Sequence, residues 1–157
     1  MLMLSKSETS DILKRIASSW PKFIPPRIKS IKAYEIEDGN RLLLADDSLV
    51  AVEIRDDIVP FVGGKSEVLN QFPSVTVDMG AVKFVCNGAK VMRPGITGLD
   101  SFKKGDIVTV KDQQHVKILA VGIALEDSES ARIMTKGYVI ANLHYISDNA
   151  WETFKQI

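Results

Sequence analysis

Cysteine is nearly absent from this chain: Cys86 stands alone among 157 residues, with only two histidines, His115 and His144, beside it. A single cysteine excludes an internal disulfide framework and points to a reducing cytoplasm. One thiol and two distant imidazoles also make no tetrahedral metal set, so no metal or other cofactor is expected. Long apolar runs are missing too; none approaches the roughly 18 to 20 residues that a membrane helix requires, and no membrane association is expected. The start, MLMLSKSETSD, has no basic n-region and no cleavage-type sequence after it, so it does not read as a signal peptide. Net charge is likewise absent, because 20 lysines and arginines balance 20 aspartates and glutamates.

The zero sum conceals segregation. Between Leu13 and Lys32 the charged residues are all basic: Lys14, Arg15, Lys22, Arg27, Lys29 and Lys32. From Glu35 to Asp57 acids dominate, and a second basic stretch runs through Lys83, Lys90, Arg93, Lys103, Lys104, Lys111 and Lys117. A polyanion meets local potential within about a Debye length of ~8–10 Å, not the total charge. Apolar residues at 45 % and charged residues at 25 % give the balance of a soluble globular protein. The length allows one ordinary domain or two small ones sharing an interface.

Thr9 or Ser10 is the expected cap of a helix carrying Ile12, Leu13, Ile16 and Trp20 at helical spacing, stopped by Pro21. A Pro-interrupted connector, KFIPPRIKS, follows. The pattern then turns to β: IKSIKAYEI, a turn at EDGN, RLLLA, a turn at DDS, LVAVEI and IVPFV. Asp38-Gly39 is a strong hairpin signal because glycine accepts positive φ. Composition shifts near Pro73, which sets expected domains at 1–73 and 74–157. In the second, Ala81, Val82, Phe84 and Val85 fit one helical face with Asp78 as cap and Gly88 as terminator. The runs DIVTVK, VKILAVGIAL and YVIANLHYI predict strands, and so many short strands beside one helix predict a small, strongly bent barrel.

Enzymatic motifs fail on inspection. GGKS at Gly63–Ser66 resembles the tail of a phosphate-binding loop, but the required first glycine is replaced by Val59, followed by Pro60. Cys86, His144 and Asp148 are the side chains of a thiol triad, yet Cys86 lies in an apolar run that suits a small core residue. His144 lies in NLHYISDNAW, which reads as a hydrogen-bonded packing cluster, and His115 as a solvated turn residue. The segment GAKVMRPGI, Gly88 to Ile96, combines two cations, two glycines and a proline. Strict alternation would send Lys90 and Met92 to one face and Val91 and Arg93 to the other, so cooperation of the cations needs a bend near Arg93.

The runs VDMGAVKFVCNGAKVMRPGI, FKKGDIVTV, LAVGIAL and KGYVIANLHYISD together resemble the PUA domain, named for pseudouridine synthases and archaeosine transglycosylases. The form from Val77 to Ile96 is similar to the archaeal and eukaryotic proteins in which a pre-PUA domain precedes the PUA, including the malignant-T-cell-amplified-sequence family and ligatin. The resemblance implies an α+β chain: a small N-terminal helix plus antiparallel sheet, then a PUA pseudo-β-barrel. It also implies binding of structured RNA, tRNA or rRNA, in translation or RNA processing, with the small ribosomal subunit or a protein partner nearby and no catalysis. Carried over by position, the RNA-binding residues are Gly88, Ala89, Lys90, Met92, Arg93, Pro94 and Gly95, with Lys103, Lys104 and Lys136 adding phosphate contacts. Gly105 and Gly122 are expected to serve the barrel itself. Two other readings stay open: an adaptor docking through the acidic Glu35–Asp57 meander, and an accessory subunit of an RNA-modifying enzyme.

Overall fold

The computed structural model describes residues 1–21 and 27–157. A two-residue strand, β1 (Leu2–Met3), leads into helix α1 (Lys6–Ser19). The helix starts earlier than Thr9 or Ser10 because Ser5 and Glu8 close a capping box: the Ser5 hydroxyl accepts the Glu8 N–H and the Glu8 carboxylate accepts the Ser5 N–H, both at 3.1 Å. Ile12 and Ile16 bury the inner stripe of the helix. Trp20 closes it, with its N–H on the Ile16 carbonyl and its indole N–H on the Ile58 carbonyl at 2.8 Å. The first five residues of the expected Pro-rich connector, 22–26, including Lys22 of the basic stretch, lie outside the described residues.

The meander follows as expected: β2 (Ile31–Glu35), β3 (Arg41–Ala45), β4 (Leu49–Ile54) and β5 (Asp57–Pro60), all antiparallel in the order β1-β2-β3-β4-β5. Asp38 and Gly39 both take positive φ, 62° and 77°, as the hairpin signal requires. Leu42 and Leu43 point to opposite faces of β3 and both are buried, so this strand is covered on both sides. A buried carboxylate, Glu53, pins α1 to the sheet through Arg15 at 2.8 Å and Arg41 at 2.6 Å.

Beyond a one-turn helix, α2 (Ser66–Leu69), the second sheet begins. Its strands are β6 (Ser74–Val77), β7 (Val91–Met92), β8 (Ile96–Leu99), β9 (Ile107–Asp112), β10 (Ile118–Ala124) and β11 (Tyr138–Tyr145). They run in the order β7-β11-β10-β9-β6-β8, with β6 parallel to β9. The edge strands β7 and β8 are joined directly through Arg93–Gly95, so the sheet is nearly closed and barrel-like. A bulge between Val121 and Gly122 brings strands into contact: a Cβ on Gly122 would lie 2.0 Å from the Ala141 carbonyl oxygen. The remaining helices are α3 (Val82–Val85), α4 (Ser128–Ile133) and α5 (Asn149–Lys155). The fold is thus the expected α+β arrangement of helix and antiparallel sheet followed by a barrel.

Helix α3 differs from the expected apolar face. It is a single turn, and Phe84 stands 57 % exposed while Val85 is buried. The reason is local closure at both ends. Asp78 Oδ1 accepts the Ala81 N–H at 2.9 Å, and Gly88, at φ +90°, ends the turn with N–H bonds from Gly88 to Val85 and from Ala89 to Phe84.

The two sheets meet at a buried seam. Ile107 and Val121 of the second sheet and Ala150 of α5 belong to the core of the first. His144, fully buried, accepts the Val62 N–H at Nε2 (3.1 Å) and reaches Asp148 from Nδ1 (2.7 Å). Because Nε2 accepts, Nδ1 carries the proton and the imidazole is neutral. Phe61 stacks on His144 and on Trp151, at ring distances of 5.4 and 5.8 Å.

Candidate nucleic-acid interface

The segment Gly88–Gly95 is held from beneath. Asn142 Nδ2 donates to the carbonyls of Val85 (2.9 Å) and Ala89 (3.1 Å), fixing the chain where it leaves α3. Gly88 lies against the Tyr145 ring, where an added Cβ would come within 3.1 Å. Ala89 is exposed, and the Gly95 carbonyl accepts the Asp78 N–H, tying the end of the segment back to the start of the α3 turn. Pro94 lies exposed within the one-turn helix of Arg93–Gly95.

Alternation places the side chains of β7 as expected: Val91 is 3 % exposed, and Met92 beside it is 50 % exposed. Met92 pairs across the strands with Tyr138, itself 51 % exposed, and the Lys90 ammonium lies 5.0 Å from the Tyr138 ring centre. A second cation–ring pair, Lys83 over Phe84 at 5.2 Å, lies on α3 just before the segment. Exposed rings with cations over them suit a polyanion carrying flat bases, because the ring offers a stacking face and the ammonium a phosphate partner.

Arg93 plays a different part. The bend that alignment with Lys90 required is present, but it turns the guanidinium inward. Nε donates to the Ala131 carbonyl at 2.6 Å and Nη1 to the Ile96 carbonyl at 3.1 Å, while the Arg93 N–H meets Gly137 at 2.8 Å. Nε therefore fastens the turn to α4, and Nη1 ties it to the start of β8. Lys136 is exposed in the turn beside Gly137, so Lys90, Met92, Arg93, Lys136 and Tyr138 form one neighbourhood.

Lys103 and Lys104 reach α4 from another side. They are exposed, and their N–H groups are held by Asp106 and Asp127, the latter just before α4. Their charges thus lie beside carboxylates, one of them at the start of α4, whereas Arg93 bonds to Ala131 within that helix. Gly105, at φ +93° with open space about it, serves this loop rather than a close strand contact.

The thiol-triad combination finds no support in the geometry. Both nitrogens of His144 are engaged, so it has no lone pair for a thiol. Cys86 is only partly buried, short of the core position expected for it, yet burial still pushes its thiol up, with Lys117 pulling weakly the other way. His115 is exposed in its turn, as expected. Among the described residues no three His, Cys, Asp or Glu side chains are placed to hold a metal, and no helix is long and apolar enough to cross a membrane.

Phe84, Lys83 and Tyr138 are not among the RNA-binding residues that the sequence leads one to expect. The signal was present for Tyr138, which directly follows Lys136-Gly137, but strand order is what brings it beside Met92.

Comparison with known proteins agrees with this architecture. The PUA domain matches residues 73–146. An uncharacterized protein of Methanocaldococcus jannaschii is 38 % identical over 74 % of this chain and 72 % of its own length. Translation machinery-associated protein 20 of Saccharomyces cerevisiae is 28 % identical over 93 % of this chain and 88 % of its own. Human malignant T-cell-amplified sequence 2 is 29 % identical over 87 % and 79 %. Among solved structures, a hypothetical protein from Pyrococcus horikoshii OT3 superposes with a TM-score of 0.77 at 27 % identity, covering 97 % of this chain and 98 % of that one. A nearly closed barrel preceded by a helix and meander, together with these matches, shows that the chain belongs to the PUA-domain family, with homologues named translation machinery-associated protein 20 and malignant T-cell-amplified sequence.

Proposed function

We propose that this chain is a non-enzymatic, cytoplasmic RNA-binding protein that recognises structured RNA, tRNA or rRNA, in translation or RNA processing at the small ribosomal subunit. The observation that carries the reading is the exposed Lys90–Tyr138–Met92 surface, presented by a segment that Asn142, Gly88 and Arg93 hold rigid from behind. Rigid presentation limits the ordering cost of binding. Gly88, Ala89, Pro94 and Gly95 allow close backbone approach, Lys90 and Lys136 supply phosphate contacts, and Lys103 and Lys104 extend the footprint across α4. Residues 1–73 and 74–157 act as two units joined at the His144 seam. The homologues' translation-associated names support the setting. The acidic-meander adaptor reading loses one of its acids, because Glu53 is buried and paired with two arginines.

The test is binding of tRNA, CCA-trimmed tRNA and small-subunit rRNA fragments across a salt series. Lys90→Glu with Lys136→Glu should weaken binding and lower the magnitude of the salt slope by about one for each phosphate no longer neutralised. Tyr138→Ala should lower affinity with little change in slope, by roughly 1–3 kcal/mol if a base stacks there. Unchanged affinity and slope in folded variants would remove this face from the reading.

A further inference from the structure

A cleft of about 620 Å³ opens where the two sheets meet, away from the β7 face. Its lining comes from both halves: Gly63, Gly64 and Ser66 from the first, Lys111 and Lys117 from the second, together with the half-buried Trp151 of α5. The size falls within the range of roughly 300–1,000 Å³ typical of small-ligand sites.

The charges around it are unequal. Neither Lys111 nor Lys117 has a carboxylate partner among the described residues. Asp112, the neighbouring acid, is buried and turned away, its carboxylate accepting the N–H groups of Gln114, His115 and Lys117. Asp100, the acid on the cleft wall, accepts both the N–H and the hydroxyl of Ser74, at 2.9 and 3.0 Å. Lys111 and Lys117 therefore line the cavity without a carboxylate partner, and its one acid, Asp100, is held by Ser74 and not by either lysine. The backbone is set for this: Val116, β-branched and exposed at the rim, holds φ +55°, an unfavourable conformation that the Asp112 bonds enforce on the turn leading to Lys117.

We infer that this cleft is a site for one nucleotide, with the phosphate between Lys111 and Lys117 and the base against the Trp151 wall. Lysine supplies point charges that suit a phosphate, and a cavity of this size admits a base and sugar as well. The same chemistry has two sources, a free nucleoside monophosphate or an unpaired nucleotide of a bound RNA. The assignment stands apart from the RNA reading of the β7 face.

The experiment titrates the full chain with AMP, inorganic phosphate and adenosine, followed by amide chemical shifts in NMR spectra. Saturating shifts should map to Gly63, Gly64, Lys111 and Lys117, with AMP binding more tightly than phosphate or adenosine. Lys111→Gln with Lys117→Gln, checked for native circular dichroism, should lower AMP affinity at least about tenfold, whereas Lys90→Glu should leave it unchanged. Shifts elsewhere, phosphate binding as well as AMP, or an unaffected double variant would each overturn the assignment. Competition separates the sources: displacement of AMP by an RNA hairpin with a single-stranded 3′ nucleotide, and not by its blunt counterpart, assigns the RNA, while displacement by neither assigns the free nucleotide.

Discussion

At Arg93 the guanidinium donates to two backbone carbonyls, so its removal registers in stability before it registers in RNA affinity. Arg93→Gln should destabilise the protein by about 1–2 kcal/mol in urea unfolding, while Lys90→Gln, three residues earlier and exposed, should leave stability unchanged. Gly122 sets a harder limit. A Cβ there would meet the Ala141 oxygen at 2.0 Å and the Ile140 side chain at 2.8 Å, so Gly122→Ala should cost about 3 kcal/mol or fail to fold. Its role in the barrel is legible from the sequence as a glycine inside an apolar strand run. The division of labour between Lys90 and Arg93 is not, because alternation assigns faces but cannot say that α4 stands ready with a carbonyl.

Among the elements, α5 shows how much one short helix can hold. Asp148 caps it by accepting the Trp151 N–H and also accepts from Tyr145 and His144. Burial alone would raise this carboxyl, but the bond from His144 and the two backbone N–H groups outweigh it and hold it below the ordinary carboxylate value. A carboxylate depressed in the folded state contributes stability that is complete above its unfolded value, near 3.9, and is lost as pH falls through the folded value. Asp148→Asn should therefore cost about 2 kcal/mol at pH 7, and the gap to the wild type should narrow below about pH 4 in denaturant titrations at each pH. The strands and α1 are readable from period and turn residues. The start of α1 is also written in the sequence, as Ser5 with Glu8 three residues on, a stronger signal than Thr9 or Ser10. Strand β1 is not readable, since two residues carry no period and owe their conformation to pairing with β2.

For the molecule as a whole, the seam makes the halves depend on one another. Trp151→Ala removes a ring stacked on Phe61 and should lower the stability of both sheets by about 2–4 kcal/mol. Hydrogen exchange should then show β3 and β10 amides becoming less protected together; protection that survives in β3 alone would show that the first core closes without α5. This coupling was out of reach of sequence reasoning, because Phe61, His144 and Trp151 are linked only by packing between distant stretches, although the cluster around His144 was foreseen as packing. The placement of Ala150 in the first core has a further consequence during synthesis. The core that includes Leu4 is completed only by α5, so the nascent N-terminal half keeps an open apolar face until that helix has been made. At about 5–20 residues per second, the stretch from residue 74 to Lys155 takes roughly 4–16 s. Over that interval the emerging chain is a client for chaperones, and synonymous codon changes that slow its second half should raise its aggregation without altering a single side chain.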